Sequence, residues 1–158
     1  MRNAVGIRSQ LTTLTLSAAV SLALRAAEGV STIDHDALLH AIAIVESRDG
    51  RASPNVYQLT PVYVRDVRRI ASLRVSYALA ARDRATARLC VLAYWRHYGA
   101  SYERRTGRRA TAEVLARIHN GGPDGWRKRT TRGYWRKVRL VYDAELRARA
   151  TAGAGKRR

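Results

Sequence analysis

Leu38, Ile42 and Val45 recur at intervals of three and four residues, which marks the buried stripe of a helix from Asp34 to about Ser47. Asp34 is placed to cap it, because a short side-chain oxygen accepts the unpaired N–H groups of a first turn. The pattern stops in Arg48-Asp49-Gly50-Arg51-Ala52-Ser53-Pro54-Asn55, a run dense in breakers. Val56 to Thr60 reads as a short β-prone stretch ending at Pro61, with Thr60 as the cap of the next helix. That helix carries Val64, Val67, Ile70 and Ala71 inward and Arg65, Asp66, Arg68 and Arg69 toward solvent. Another begins near Asp83, aligns Ala87, Cys90, Val91, Tyr94, Trp95 and Tyr98, and meets Gly99 as its stop. Ser101 to Arg109 follows as a strongly basic connection. Thr111 then opens a helix with Val114, Leu115 and Ile118 inward, broken at Asn120-Gly121-Gly122-Pro123. A final helix from about Arg132 spaces Tyr134, Trp135, Val138, Tyr142 and Leu146 in the same way. The fold class predicted is mainly α, with one reduced β segment.

The two ends fall outside this pattern. Residues 1–29 contain Arg2 and Arg8, then sixteen uncharged residues from Ser9 to Leu24, then Arg25 and small residues, which reads as a signal peptide or signal anchor, with an amphipathic helix as the alternative. The stretch is shorter than the roughly 18 to 20 apolar residues of a stable membrane span. Residues 151–158 are small and basic, and read as a disordered tail. Between them, residues 30–150 form one domain.

Charge narrows the partners. Thirty Lys plus Arg against twelve Asp plus Glu leave a formal charge of +18, which suits an anionic wall polymer or membrane surface and, less well, nucleic acid. Nine basic and six acidic residues lie up to residue 75, against twenty-one basic and six acidic beyond it. The runs Arg104 to Arg109 and Arg127 to Arg132 are most simply solvated faces. Only three of the thirty bases are Lys, a bias that a GC-rich genome explains without selection for guanidinium geometry. One cysteine, Cys90, excludes an internal disulfide and a cysteine zinc site. The four histidines show no HExxH spacing, and Gly155-Lys156 lacks the rest of a phosphate-binding loop. No metal, cofactor or obligate protein partner is implied.

Glu46 is the residue with chemistry in prospect. It lies four residues after Ile42 and seven after Leu39, so helical spacing puts its carboxylate at the edge of an apolar face. Burial there disfavours the charged form and raises the pKa, as a general acid at neutral pH requires. Three segments in order, Ala41 to Ser47, Tyr57-Gln58-Leu59-Thr60-Pro61, and Ala116 to Trp126 with His119-Asn120-Gly121-Gly122-Pro123 inside it, together with Tyr134 to Val138, resemble the lytic transglycosylase and goose-type lysozyme group. The resemblance covers residues 37–142. It implies a lysozyme-like domain that cleaves peptidoglycan between N-acetylmuramic acid and N-acetylglucosamine, with Glu46 as acid and base. In the transglycosylase route, the preferred reading, the substrate's N-acetyl group supports the developing cation and the 6-hydroxyl closes an anhydro product. Ser47, Tyr57, Gln58, His119, Asn120 and Trp126 would contact the substrate. His119 stands where the family has tyrosine, and the run that normally precedes the glutamine is trimmed, which opens one wall of the cleft.

Two other readings remain open. A lysozyme-type hydrolase, cellular or from a phage, would use a second carboxylate about 5 to 9.5 Å from the first, for which Asp49 is the candidate beside its plainer role as a turn residue. A basic nucleic-acid or envelope-binding module would keep the scaffold without turnover.

Overall fold

The structure, a computed structural model, describes residues 32–47 and 55–155. The signal-like segment and the loop with Asp49 lie outside these residues. Four of the five helix entrances read from the sequence carry a side-chain cap. Asp34 accepts from the Ala37 N–H at 2.9 Å and opens α1, His35–Ser47. Thr60 accepts from Tyr63 at 3.2 Å and opens α2, Pro61–Ala71, with the proline in the first turn. Ser76 caps a short α3, Tyr77–Arg82, for which the sequence pattern gave no signal. Asp83 closes that helix and caps α4, Arg84–Thr106. Thr111 caps α5, Ala112–Gly121. A 3-10 turn, Gly125–Arg127, precedes α6, Thr131–Gly155.

α1 is the centre. Ala37, Leu38, Leu39, Ala41, Ile42 and Ala43 are all buried, which is more than one stripe and is the mark of a helix covered on several sides. It packs most extensively on α6 and also meets α5. Val138 and Tyr142 of α6, Ile118 of α5, Val91 of α4 and Val64 of α2 complete one core. Each such side chain removed from water contributes about 1.5–3 kcal/mol.

Three expectations are corrected. Val56–Thr60 is not a strand, and there is none among the described residues. With no neighbouring strand to pair with, the backbone is held by a turn, in which Gln58 N–H donates to the Asn55 carbonyl at 3.0 Å and the Asn55 side chain brackets Leu59 with two bonds of 2.9 Å. Val56, Tyr57 and Leu59 plug the core while Gln58, at φ +49°, is turned out. Gly99 does not end α4. Its missing Cβ would lie 3.1 Å from Leu115 Cδ2, so the glycine is where α4 and α5 approach closely. The helix runs on until Gly107, whose left-handed φ of +67° and N–H bond to Glu103 form the stop. α6 continues to Gly155, past the point where the sequence suggested a disordered tail. No helix among the described residues is long and apolar enough to cross a membrane.

Candidate active site

The end of α1, the turn at 57–60, one face of α2, and the end of α5 enclose a cleft of about 550 Å³. Glu46, one residue before the end of α1, is partly buried in its wall. Burial pushes its carboxyl above the usual range, and the phenol of Tyr134 on α6 offsets part of that. Tyr134 Oη is itself buried with no partner at hydrogen-bond distance, so this neighbour acts across a longer gap and remains available to Glu46. Gln58 and Asn120 line the same cleft from two other directions, with Gly122 and Pro123 beside Asn120. Both amides are exposed, and each can donate to and accept from a sugar hydroxyl or N-acetyl group.

The floor is aromatic. Tyr63 stacks on Tyr94 at 4.0 Å between ring centres, and Tyr94 leans on Tyr98 at 4.6 Å. His119 completes it, with Nε2 3.1 Å from the Tyr57 carbonyl and Nδ1 3.4 Å from Tyr63 Oη. A carbonyl only accepts, so Nε2 carries the hydrogen and Nδ1 accepts from the phenol. Desolvation, only partly countered by the Tyr57 bond, pushes the His119 pKa down to about 4. The ring is therefore neutral and occupied by protein partners on both sides. Its role is to tie the 57–60 turn to α5, and the substrate contact expected of it is not available to either nitrogen.

His119 lines the cleft, but two of the expected contact residues are not brought to it. Ser47 is buried and its hydroxyl bonds back to the Ala43 carbonyl, because a helical serine can reach the carbonyl four residues before it. Trp126 packs on Tyr102 at 5.0 Å between the guanidinium groups of Arg105 and Arg127, 5.7 and 5.6 Å from its ring centre. It is absent from the cleft lining. Tyr57 does line the cleft, although it is itself buried.

The structure adds a carboxylate that the hydropathy pattern had turned to solvent. Asp66 lies in the cleft wall and accepts bonds from Tyr98 and, at 2.6 Å, from Arg69. Against burial, which would raise it, these bonds hold the Asp66 carboxyl below the usual range. The signal was present in the spacing: Val62, Arg65, Asp66 and Arg69 all line the cleft and fall at i, i+3, i+4 and i+7, one face of α2.

No family model matches the chain. Lysozyme 1 of Crassostrea virginica is 48% identical over 58 residues, 37% of this chain and 29% of that protein. Invertebrate-type lysozyme 6 of Caenorhabditis elegans is 32% identical over 95 residues, 57% of this chain and 67% of the nematode protein. A lysozyme of Meretrix lusoria is 33% identical over 92 residues, 58% of this chain and 70% of the clam protein. The chain belongs to the lysozyme family. The motif resemblance thus reaches the lysozymes; the nematode relative is named invertebrate-type, and none of the three is named a transglycosylase or a goose-type lysozyme. For this lysozyme-family chain, a partly buried glutamate facing two exposed amides across a cleft becomes the natural place to look for glycosidic chemistry.

Proposed function

We propose that the protein is a lysozyme-type glycosidase that hydrolyses peptidoglycan between N-acetylmuramic acid and N-acetylglucosamine, with Glu46 as general acid. The observation that carries this is the position of Glu46, partly desolvated so that its proton is held more tightly than in water, yet open to a cleft shared with Gln58 and Asn120. Glu46 gives its proton to the glycosidic oxygen as the bond from the anomeric carbon breaks. The substrate's own N-acetyl oxygen supports the positive carbon. A water then attacks that carbon and returns a proton to the Glu46 carboxylate, which restores the starting state.

Asp66 is poorly suited to the second carboxylate's role. Each oxygen is engaged, one by Arg69 and one by Tyr98, which lowers its nucleophilicity and fixes its direction. Asp49 follows Glu46 by three residues and stays a candidate on sequence grounds alone. An extracellular wall polymer as substrate agrees with the export segment expected over residues 1–29.

The test is digestion of sacculi by the full chain beside Glu46→Gln, in water enriched in oxygen-18, with products read by mass. Labelled reducing ends and a loss of about 10²–10⁴-fold in the variant are expected. Anhydro ends without label would replace hydrolysis by transglycosylation. Equal inertness of both proteins would leave a binding module. A requirement for Asp49 in an Asp49→Asn variant would replace N-acetyl assistance by a second protein carboxylate.

A further inference from the structure

Beyond Arg65 and Arg69 the cleft wall turns into a second, more open groove of about 860 Å³ between α2 and the start of α3. Arg65 and Arg69 border both depressions. Arg68 and Arg74 line the second only, so four guanidinium groups surround it with Asp66 as the nearby carboxylate. Arg69 is bound to that carboxylate, whereas Arg65, Arg68 and Arg74 have no ion pair among the described residues. The floor includes buried Val75 and half-buried Leu73. An occupant should thus be anionic at its edges, carry small alkyl groups, and be continuous with whatever sugar fills the cleft.

Resting on the reading of the cleft given above, we propose that this arginine-lined groove binds the carboxylate-bearing peptide stem attached to the muramic acid of the strand being cut. A muramic acid bears its peptide on a lactyl ether of the same sugar ring, so a ring seated beside Glu46 can project that chain along the cleft wall. Guanidinium groups pair with carboxylates in bidentate fashion, and the apolar floor suits alanine-sized side chains. A phosphate-bearing wall polymer offers similar charge, and its binding is an outcome that the test separates from this one. Nucleic acid would have no use for the shared wall.

The test uses full-length protein and the double variant Arg68→Gln/Arg74→Gln, neither residue lining the cleft. Soluble glycan fragments that carry their peptides are compared with the same fragments after amidase removal of the peptides. The double variant should raise KM on peptide-bearing glycan about three- to tenfold, the range for two exposed charge pairs, with kcat unchanged and with no effect on peptide-free glycan. Wild-type protein should lose its preference for peptide-bearing glycan as salt rises. An equal effect on both substrates, or no preference in the wild type, overturns the proposal. So does a loss of affinity confined to phosphate polymer or to DNA. Should the wild type cut neither substrate, the proposed activity fails, and equilibrium binding of the same fragments to Glu46→Gln judges the groove separately: a preference for peptide-bearing glycan that the two arginine substitutions remove supports it, and equal binding overturns it.

Discussion

Gly125→Ala should damage both the fold and the cleft, and the size of the effect follows from one contact. A Cβ at residue 125 would lie 1.9 Å from the Arg117 carbonyl oxygen and 2.8 Å from its carbon, both backbone atoms inside α5. Real Cβ atoms do not come within 3.0 Å, so the 3-10 turn must move by at least 1.1 Å, the gap between 1.9 and 3.0 Å. The turn is held where it is by the Gly125 N–H bond to Gly122 O at 2.8 Å and by the buried Thr131 hydroxyl, which donates to Gly125 O at 2.8 Å. Overpacking of about 1–3 kcal/mol together with about 1 kcal/mol for a strained buried bond gives about 2–4 kcal/mol, or a fall in Tm of roughly 4–16 °C for a chain of this length. Since Asn120, Gly122 and Pro123 line the cleft just before this turn, a displacement near 1 Å should also cost up to roughly a hundredfold in rate. Calorimetry and glycan turnover measured well below the variant's Tm provide the two readouts. Gly107→Ala is the comparison, because its φ of +67° adds local backbone strain while nothing lies within 4 Å of the added carbon, so no steric clash contributes. Equal losses in the two variants, or an unchanged Tm in Gly125→Ala, would refute the steric argument.

Glu46→Gln should be more stable than the wild type at pH 7, by about 0.5–2 kcal/mol as is common when an acid burdened by its site is neutralised. The folded chain holds the Glu46 proton more tightly than the unfolded one, so the advantage is full above the folded pKa and vanishes as pH falls below 4.5; chemical denaturation at pH 4 and pH 7 measures it. His119 has the opposite sense. With a folded pKa near 4 against 6.5 when free, it contributes about 3 kcal/mol above pH 6.5 that is lost progressively as pH falls toward 4. His119→Gln can keep one bond to the Tyr57 carbonyl and one from Tyr63 without a titrating group, so urea midpoints followed from pH 7 to pH 4 should fall less steeply than in the wild type.

What could be read from the sequence was whatever depends on near neighbours. The caps at Asp34, Thr60, Asp83 and Thr111 act on N–H groups two or three residues away, and each was legible for that reason. Glu46 was legible too, because its position on α1 relative to Leu39 and Ile42 is fixed by helix geometry alone. Gly99 and Gly107 could not be ranked, since the difference lies in Leu115 pressing on the first and in nothing touching the second. Trp126 sits in a polar loop that could have faced the cleft, and its edge-to-face contact with Tyr102 is made to a distant part of α4. Ser47 follows the acid in the motif, which points to a substrate contact, yet a hydroxyl in a helix's last turn has a carbonyl at hand. Asp66 was hidden by its own charge: three arginines around it suggested a solvated face, and its tie to Tyr98 joins α2 to α4 across 32 residues.

The charge distribution shows the same limit at larger scale. Counting by halves placed the positive charge beyond residue 75, yet several of those arginines are tied into the fold. Arg105 holds Asp124 at 2.7 Å, Arg117 spans Glu113, Thr131 and the Lys128 carbonyl, and Arg149 joins Asp34 to Glu145. Their charge is locally answered, and much of their work is to hold α5, the 3-10 turn and α6 around α1. The first half is nearly balanced in total, but Arg65, Arg68, Arg69 and Arg74 fall within ten residues on α2 and the loop after it, with one carboxylate among them. Attraction for an anion depends on the charges within about a Debye length, some 8–10 Å in ordinary salt. The sparse half therefore presents a concentrated positive surface of its own, and it presents it along the wall of the cleft that contains Glu46.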